Sequence, residues 1–345
     1  MNLYLLFIVV LALWKIKIHG KGFHEDFLSR TTTLSVNGIF ILIVFYSHFA
    51  NDYYTVELAK DGIMHSVKMF LGQLMVTSFL FYSGYGVFRQ LEARAGYARK
   101  ILTNRMPKVW FHYAFAVVLY VAVQLLRGNT YSPVQYILAF VGWQGIGNSD
   151  WYIFTILALY LITWFAFTLL DNNPKAAVTM TFVCTGAYML LMAKYKADYW
   201  YNTALCYPFG MLVGLQEEKI KKVLLHNGKY FLSLAGMVAL LLVLKQYQKV
   251  SFWYYNLYAL VFISLVVLVT MKVQFRSPAL EFFGRHLFWI YMLHRIPLML
   301  LKGSWFAVSY PYGMAAIALA VTVAAAVVLD YVFGKLDKQI WKAGK

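Results

Sequence analysis

Residues 34–50 read LSVNGIFILIVFYSHFA, a nearly continuous apolar run with one histidine, His48, close to its end. A helix that crosses a bilayer needs roughly 20 mostly apolar residues, and this run approaches that length. A titratable ring inside hydrocarbon is costly and is usually retained for proton relay, catalysis or ligand binding. The segment therefore predicts a spanning helix in which His48 has a chemical function. The alternative is a histidine that only hydrogen-bonds a neighbouring span.

The rest of the chain has the composition of an integral membrane protein. Of its 345 residues, 61% are hydrophobic and 13% are charged, whereas soluble domains are about half apolar and a quarter charged. We predict an all-α polytopic fold with about ten core transmembrane helices and one extra N-terminal span. Residues 134–146 are a candidate re-entrant segment. The predicted spans are 2–18, 33–50, 66–88, 109–126, 150–170, 176–193, 203–215, 230–245, 252–272, 286–302 and 313–334.

Lysine and arginine are unevenly distributed between alternate loops, and this asymmetry predicts the orientation. Cytoplasmic loops carry the excess of basic residues. The protein is therefore expected in a plasma (inner) membrane, with its N-terminus outside, its C-terminus in the cytoplasm and His48 toward the outer face. The same rule explains the net charge of +17 without a nucleic acid partner. Twenty-two of the 31 basic residues lie in segments 15–32, 89–108, 171–175, 216–229, 272–285 and 335–345.

The loops are short, which favours one membrane domain. We assign residues 1–32 to an extra N-terminal span and cytoplasmic loop, 33–334 to the membrane domain and 335–345 to a cytoplasmic tail. Cys184 and Cys206 fall in or near apolar runs. Neither a disulfide framework nor a cysteine metal site can be inferred from them, and no metal is expected.

Carboxylates at the outer ends of spans are candidates to orient the His48 imidazole. Asp150, in the run GNSDWYIFTILALYL, lies at the outer edge of its span, on the predicted side of His48. It is either that orienting group or an ordinary helix N-cap. Asp52, Glu57 and Asp61 lie in the outer loop and are weaker candidates.

His294 and Arg295 lie in the middle of another apolar run, HLFWIYMLHRIPLML. A guanidinium at this depth is expensive unless it is paired or faces water. Either this helix lines a polar cavity, or Arg295 neutralises an acid or a bound anion. A purely structural ion pair is the alternative.

The most basic stretch, RQLEARAGYARKILTNRMPKVW, follows a span that contains two small residues. Such a stretch binds anionic headgroups or fixes topology, or it binds a phosphorylated cytosolic ligand through charge-assisted hydrogen bonds. In FLFYSGYGVF, Ser83 and Gly84 allow a helix or a thin ligand to approach the backbone closely. The candidate basic contacts are Arg99, Lys100, Arg105 and Lys108.

Four stretches, in this order, resemble the membrane-bound acyltransferase-3 family, which acylates sugars of bacterial surface polysaccharides. The resemblance implies that His48 is catalytic, that Arg105 and Lys108 handle an acyl-CoA donor, and that His294 belongs to the site. Asn37 stands where members commonly carry a basic residue, eleven positions before the histidine. The four stretches, which span about residues 33–334, are GIFILIVFYSHFA, FLFYSGYGVF with NRMPKVW, SDWYIFTILALYL and FFGRHLFWIYMLHRIPL.

The resulting hypothesis is an acetyl-CoA-dependent O-acyltransferase. The donor substrate acetyl-CoA enters from the cytoplasm, its pantetheine arm passes Ser83 and Gly84, and His48 deprotonates a hydroxyl of a surface polysaccharide or its lipid-linked precursor. Direct transfer and an acyl-histidine intermediate are both left open. His48 lies 18 residues after Arg30, or about 27 Å of helix, which is longer than an extended pantetheine arm. The remaining assignments are Asp150 and His294 for catalysis, and Arg295, Trp151 and Asn37 for substrate contact or charge stabilisation.

A transporter or flippase of polysaccharide intermediates is the alternative function, since it explains the spans and the embedded Arg295 without chemistry. A polysaccharide polymerase usually needs a large outer loop, which this chain lacks. The expected partners of the transferase are acyl-CoA, a polysaccharide or lipid-linked glycan, and membrane lipids. A homodimer is left open.

Overall fold

The protein is described by a computed structural model over residues 2–53 and 62–341, and these ranges are mostly helical. Glu57 and Asp61 lie outside the described residues. Two short strands, β1 (Lys17–Ile18) and β2 (Val273–Gln274), pair antiparallel. The helices are α1 (Asn2–Leu13), α2 (Arg30–His48), α3 (Gly62–Leu71), α4 (Thr77–Ala93), α5 (Tyr97–Lys100), α6 (Met106–Leu126), α7 (Pro133–Phe140), α8 (Trp151–Leu169), α9 (Pro174–Tyr195), α10 (Cys206–Leu224), α11 (Asn227–Tyr247), α12 (Phe252–Lys272), α13 (Pro278–Arg285), α14 (Leu287–Leu293), α15 (Arg295–Leu301), α16 (Trp305–Ser309) and α17 (Pro311–Ile340).

Within the described ranges, eight helical stretches are long and apolar enough to cross a membrane. This confirms the prediction of a polytopic all-α membrane protein. Some of these stretches combine an α-helix with an adjoining 3₁₀ or π-helical segment, so they are longer than the α-helices named above. The eight are Arg30–Tyr53, Gly62–Ala93, Tyr97–Leu126, Trp151–Leu169, Pro174–Tyr195, Asn227–Tyr247, Phe252–Lys272 and Pro311–Ile340.

The two ends of the helical bundle differ. At one end β1 pairs with β2, which joins the segment before α2 to the segment after α12; we call this the strand end. Helix α2 begins here, where Ser35 Oγ donates to the Phe275 carbonyl at 3.4 Å. It ends at His48, beside a polar cavity, and we call this the cavity end.

The N-terminal helix is shorter than the predicted span 2–18. Helix α1 has 12 residues, fewer than the roughly 20 that a spanning helix needs. It ends before Lys15, whose φ of 57° lies in the left-handed region, and the chain continues as the extended β1. Asn2 accepts a hydrogen bond from the backbone of Met64 at 3.3 Å, so α1 begins beside α3.

Two other predicted spans also differ in form. The 286–302 segment is two seven-residue helices, α14 and α15, which meet at His294. Pro297 explains the break, because it has no N–H for the Leu293 carbonyl four residues earlier. The 203–215 segment is longer than predicted, since α10 extends to Leu224 with a Glu217–Lys221 ion pair of 2.7 Å. The candidate re-entrant segment contains the short helix α7, Pro133–Phe140.

Close helix contacts at glycine hold the bundle together. A Cβ on Gly84 of α4 would lie 1.9 Å from the Tyr207 carbonyl oxygen of α10, and one on Gly210 would lie 2.0 Å from the Phe81 oxygen. These distances leave no space for a side chain, so the two backbones touch. Small residues allow this approach in membrane helices. Gly84 therefore serves a close contact between α4 and α10.

Candidate active site

A polar cavity of about 620 Å³ lies at the cavity end, where α2 finishes. Its walls come from α2, the α3–α4 junction, the segment before α8, and the α14–α15 junction. Four predicted site residues share this cavity: His48, Asp150, Trp151 and Arg295. Polar walls at this depth are expensive unless they bind water or a ligand, so the lining favours a functional site.

The closest polar contact in this cavity joins His48 to Arg295. Arg295 Nη2 lies 2.5 Å from His48 Nδ1. The arginine cannot lose its proton, so the guanidinium donates and the imidazole nitrogen accepts. Arg295 reaches this position because it is the first residue of α15, immediately after the helix break at His294.

Asp52 is the carboxylate beside this pair. Its Oδ2 lies 3.1 Å from Arg295 Nη2 and 3.6 Å from His48 Nδ1. The first distance is that of an ion pair, and the second is too long for a hydrogen bond. Asp52 is held there by a wide helical turn, Phe49–Tyr53, that continues α2; such turns are frequent at functional sites.

Asp150 lines the cavity without contacting His48. It precedes α8, and its side chain forms no cap hydrogen bond with that helix. Asp150 therefore occupies the N-cap position of α8 without the side-chain hydrogen bond that usually accompanies it. Among the described residues, the carboxylate within 4 Å of His48 belongs to Asp52, so Asp150 is not placed against the imidazole as the sequence hypothesis expects. Asp150 remains available to a ligand in the cavity.

His294 is fully buried behind the cavity, and its ring centroid lies 4.9 Å from that of His48. Its Nδ1 lies 2.8 Å from the Tyr291 carbonyl oxygen and 3.1 Å from that of Ile290. A carbonyl only accepts, so Nδ1 carries the proton and Nε2 holds a lone pair. Nε2 has no partner among the described residues. The fold therefore brings the two histidine rings side by side.

Lys196 lies between two tryptophan rings at the cavity end of the bundle. Lys196 Nζ lies 3.9 Å from the Trp143 ring centroid and 4.3 Å from that of Trp200, and it donates to the Trp143 carbonyl at 2.5 Å. Burial here lowers the pKa of Lys196 below that of a free lysine. This cluster fixes the segments around α8 through cation–π contacts.

Arg105 forms a second buried cationic site nearer the strand end. Its guanidinium carbon lies 4.9 Å from the Tyr160 ring centroid, and Nη1 donates to the Tyr97 hydroxyl at 3.3 Å. Ser83 shares this cluster, with its Oγ 3.0 Å from the Tyr160 hydroxyl. The Nε atom of Arg105 is buried and has no partner within the described ranges. Arg105 and Ser83 are thus brought together, as the sequence hypothesis requires.

The other predicted donor contacts lie apart from Arg105. Lys108 Nζ is 2.5 Å from Asp337 Oδ2 of α17, whose Oδ1 also lies 2.9 Å from His112 Nε2. Arg99 and Lys100 are exposed. Lys108 is therefore engaged in a helix-to-helix ion pair, while the two exposed residues remain free to meet an anion.

Asn37 is also separate from His48 and Arg295. It lies on α2 eleven residues before His48, or about 16 Å along the helix axis. Its Oδ1 is buried without a partner among the residues that the structure describes. Asn37 therefore lies on the same face of α2 as His48, as its spacing predicts, but too far along the helix to contact it.

A family model described as an acyltransferase domain, that of acyltransferase-3, matches residues 36–331. The chain belongs to the acyltransferase-3 family. No curated protein and no solved structure matches it. The family match begins inside α2 and ends inside α17, so it includes every cavity residue discussed above. Together with the apolar helices, it identifies a multi-pass membrane acyltransferase and confirms the resemblance inferred from the four sequence stretches.

Three residues of these sites were missed or ranked low in the sequence. Asp52 follows His48 by four residues, which is a helical contact spacing, so that signal was present. Tyr97 and Tyr160 gave no such signal, because their roles depend on where Arg105 docks in the folded bundle.

Proposed function

We propose that this acyltransferase moves an acetyl or other acyl group from cytosolic acyl-CoA to a hydroxyl of a cell-surface polysaccharide or its lipid-linked precursor. His48 is the general base in this proposal. The observation that carries it is the 2.5 Å contact between Arg295 Nη2 and His48 Nδ1 on the wall of a polar cavity. A base and a positive charge in the same cavity are what acyl transfer to a hydroxyl requires.

The proposed reaction is a direct transfer. The acceptor hydroxyl gives its proton to His48 while its oxygen bonds to the thioester carbonyl carbon. The carbonyl electron pair moves onto oxygen, where the Arg295 guanidinium stabilises the charge. When the carbonyl re-forms, the carbon–sulfur bond breaks and the CoA thiolate takes the proton from His48. His294 supports the imidazole ring from behind.

The position of Arg105 supports an approach of the donor from the strand end. Tyr160, on which Arg105 stacks, lies nine residues along α8 from Trp151 in the cavity wall, or about 14 Å. That is roughly half of the 27 Å between Arg30 and His48. A donor held at Arg105 by its phosphates therefore has a much shorter path to cross, with Arg99 and Lys100 outside it as further phosphate contacts.

The cavity wall supports a polyhydroxylated acceptor. Asp150 offers acceptor oxygens to hydroxyl groups, and Trp151 and Tyr199 offer flat apolar surfaces to the carbon–hydrogen faces of a sugar ring. In the proposed topology the strand end, with its basic loops, is cytoplasmic and the cavity end faces outward in a plasma (inner) membrane. The N-terminus then lies outside and the C-terminus inside.

The test uses full-length protein in detergent with acetyl-CoA and an acceptor glycan. Free thiol should be released only when both substrates are present, and the acetyl group should be recovered on the glycan. His48→Ala should lower this rate by about 10²- to 10⁴-fold, the usual contribution of a general base. His226→Ala, at an exposed position in the loop before α11, is the matched control. An unchanged rate in His48→Ala, or glycan binding without thiol release, would overturn the proposal.

A further inference from the structure

The contact between Arg295 and His48 fixes which nitrogen of His48 carries its proton. Because Arg295 Nη2 donates to Nδ1 at 2.5 Å, Nδ1 holds the lone pair and the proton of the neutral ring is on Nε2. The lone pair is the part of the ring that can accept a proton. It is covered by a guanidinium that cannot itself be deprotonated.

The base is therefore blocked in this arrangement. A substrate hydroxyl can reach Nδ1 only after Arg295 moves away from it. The side chains of His48 and Arg295 are 23% and 22% exposed, so both already face the cavity space into which the guanidinium can move. Arg295 Nε is buried without a partner in the described ranges, which leaves the guanidinium only partly satisfied where it is.

Asp52 offers the guanidinium an anchor in either position. Its Oδ2 is 3.1 Å from Arg295 Nη2 and lies on the cavity wall. The guanidinium has five N–H donors in a planar fork. One donor can stay on Asp52 while another leaves His48 for a new acceptor oxygen.

We propose that Arg295 is a removable cap on the catalytic nitrogen: it covers His48 Nδ1 in the empty enzyme and moves onto the acyl carbonyl oxygen when the donor binds. Asp52 is the positioning residue that holds the guanidinium in both arrangements. The inference rests on the proposed function for the identity of the carbonyl, but the cap itself is a property of the empty site. It keeps the base covered until a donor is present.

The cap can be measured without any enzymatic activity. Diethyl pyrocarbonate reacts with unprotonated imidazole nitrogens, and peptide mass spectrometry reports the rate at each histidine separately. In full-length protein without substrate, Arg295→Met should raise the rate at His48 by about tenfold, the scale of one hydrogen bond to a charged group. Asp52→Asn should raise that rate by less than Arg295→Met does, because the guanidinium loses its charged anchor but is still present beside the imidazole, and it should also lower acyl transfer. The rate at exposed His226 is the internal reference.

The same experiment separates a cap from damage to the fold. His294 is fully buried and should stay unmodified in Arg295→Met; its modification would mean that the site has opened, which counts against the proposal. An unchanged or slower rate at His48 in Arg295→Met would overturn it. If Arg295→Met uncovers His48 but the wild type never cleaves acyl-CoA, the cap stands and the proposed function fails.

Discussion

Asp52 and Arg295 form an ion pair on the cavity wall, with Asp52 Oδ2 3.1 Å from Arg295 Nη2. The pair joins the end of α2 to the break between α14 and α15. Lys302 strengthens this junction, because its Nζ donates to the Asp52 backbone carbonyl at 2.8 Å. His48 thus lies beside two chain segments that are remote in sequence, and its environment depends on both.

Asp52→Asn should lower kcat by about 10- to 100-fold, the value of one hydrogen bond to a charged group at the transition state. The amide keeps the shape of the side chain but loses the charge that positions Arg295. The KM for acetyl-CoA should change little. Steady-state thiol release at saturating acceptor gives both constants.

Asp150→Asn is the matched control for that change, since both carboxylates line the same cavity. It should act mainly on the KM for the acceptor, because Asp150 has no ion pair with His48 or Arg295. If Asp150→Asn lowers kcat as strongly as Asp52→Asn does, then Asp150 and not Asp52 is the partner of the catalytic pair.

Arg105→Lys should raise the KM for acetyl-CoA by about tenfold with a smaller effect on kcat. Lysine keeps the charge but loses the planar fork and its stacking on an aromatic ring, which here is Tyr160. Substrate titrations at fixed acceptor measure the change. Lys175→Met, at an exposed position at the start of α9, removes a basic residue elsewhere and should leave the KM unchanged. An equal effect of the two substitutions would indicate general electrostatic attraction instead of a site at Arg105.

The helices, and His48 and His294 as candidate site residues, are predictable because their signals are local. A continuous apolar run such as residues 34–50 leaves few choices besides a spanning helix. His48 and His294 are titratable residues within otherwise apolar runs, and titratable residues inside predicted spans usually have a function.

The partners of these residues were less predictable because they depend on packing between distant helices. The place of Asp150 at a span end favours it over Asp52, yet the wide turn after α2 brings Asp52 to Arg295. Lys108 was assigned to the donor, but α17 places Asp337 against it. Neither contact follows from spacing along one helix.

Gly84→Ala should destabilise the protein by roughly 1–3 kcal/mol or more, because the added carbon has no space and the helices must separate. Its Cβ would lie 1.9 Å from the Tyr207 carbonyl oxygen. Gly86→Ala, two residues further along α4, meets nothing within 4 Å and should be neutral or stabilising by up to about 1 kcal/mol. Thermal unfolding in detergent distinguishes the two. A stable Gly84→Ala variant with a raised KM for acetyl-CoA would instead support the donor contact first inferred from the sequence.

Lys108→Met should lower thermal stability and leave the KM for acetyl-CoA within about twofold of the wild type. The reason is that Lys108 neutralises Asp337, whose side chain is only 11% exposed, while Lys108 itself is 44% exposed. Removing one partner of such a half-buried pair costs about 1–3 kcal/mol. Asp337→Asn should cost more, because it weakens the contacts to both Lys108 and His112. The double variant should lose less stability than the sum of the losses in the two single variants, as expected for residues in contact. Additive losses of stability together with a tenfold rise in the KM for acetyl-CoA would instead support Lys108 as a contact of the donor.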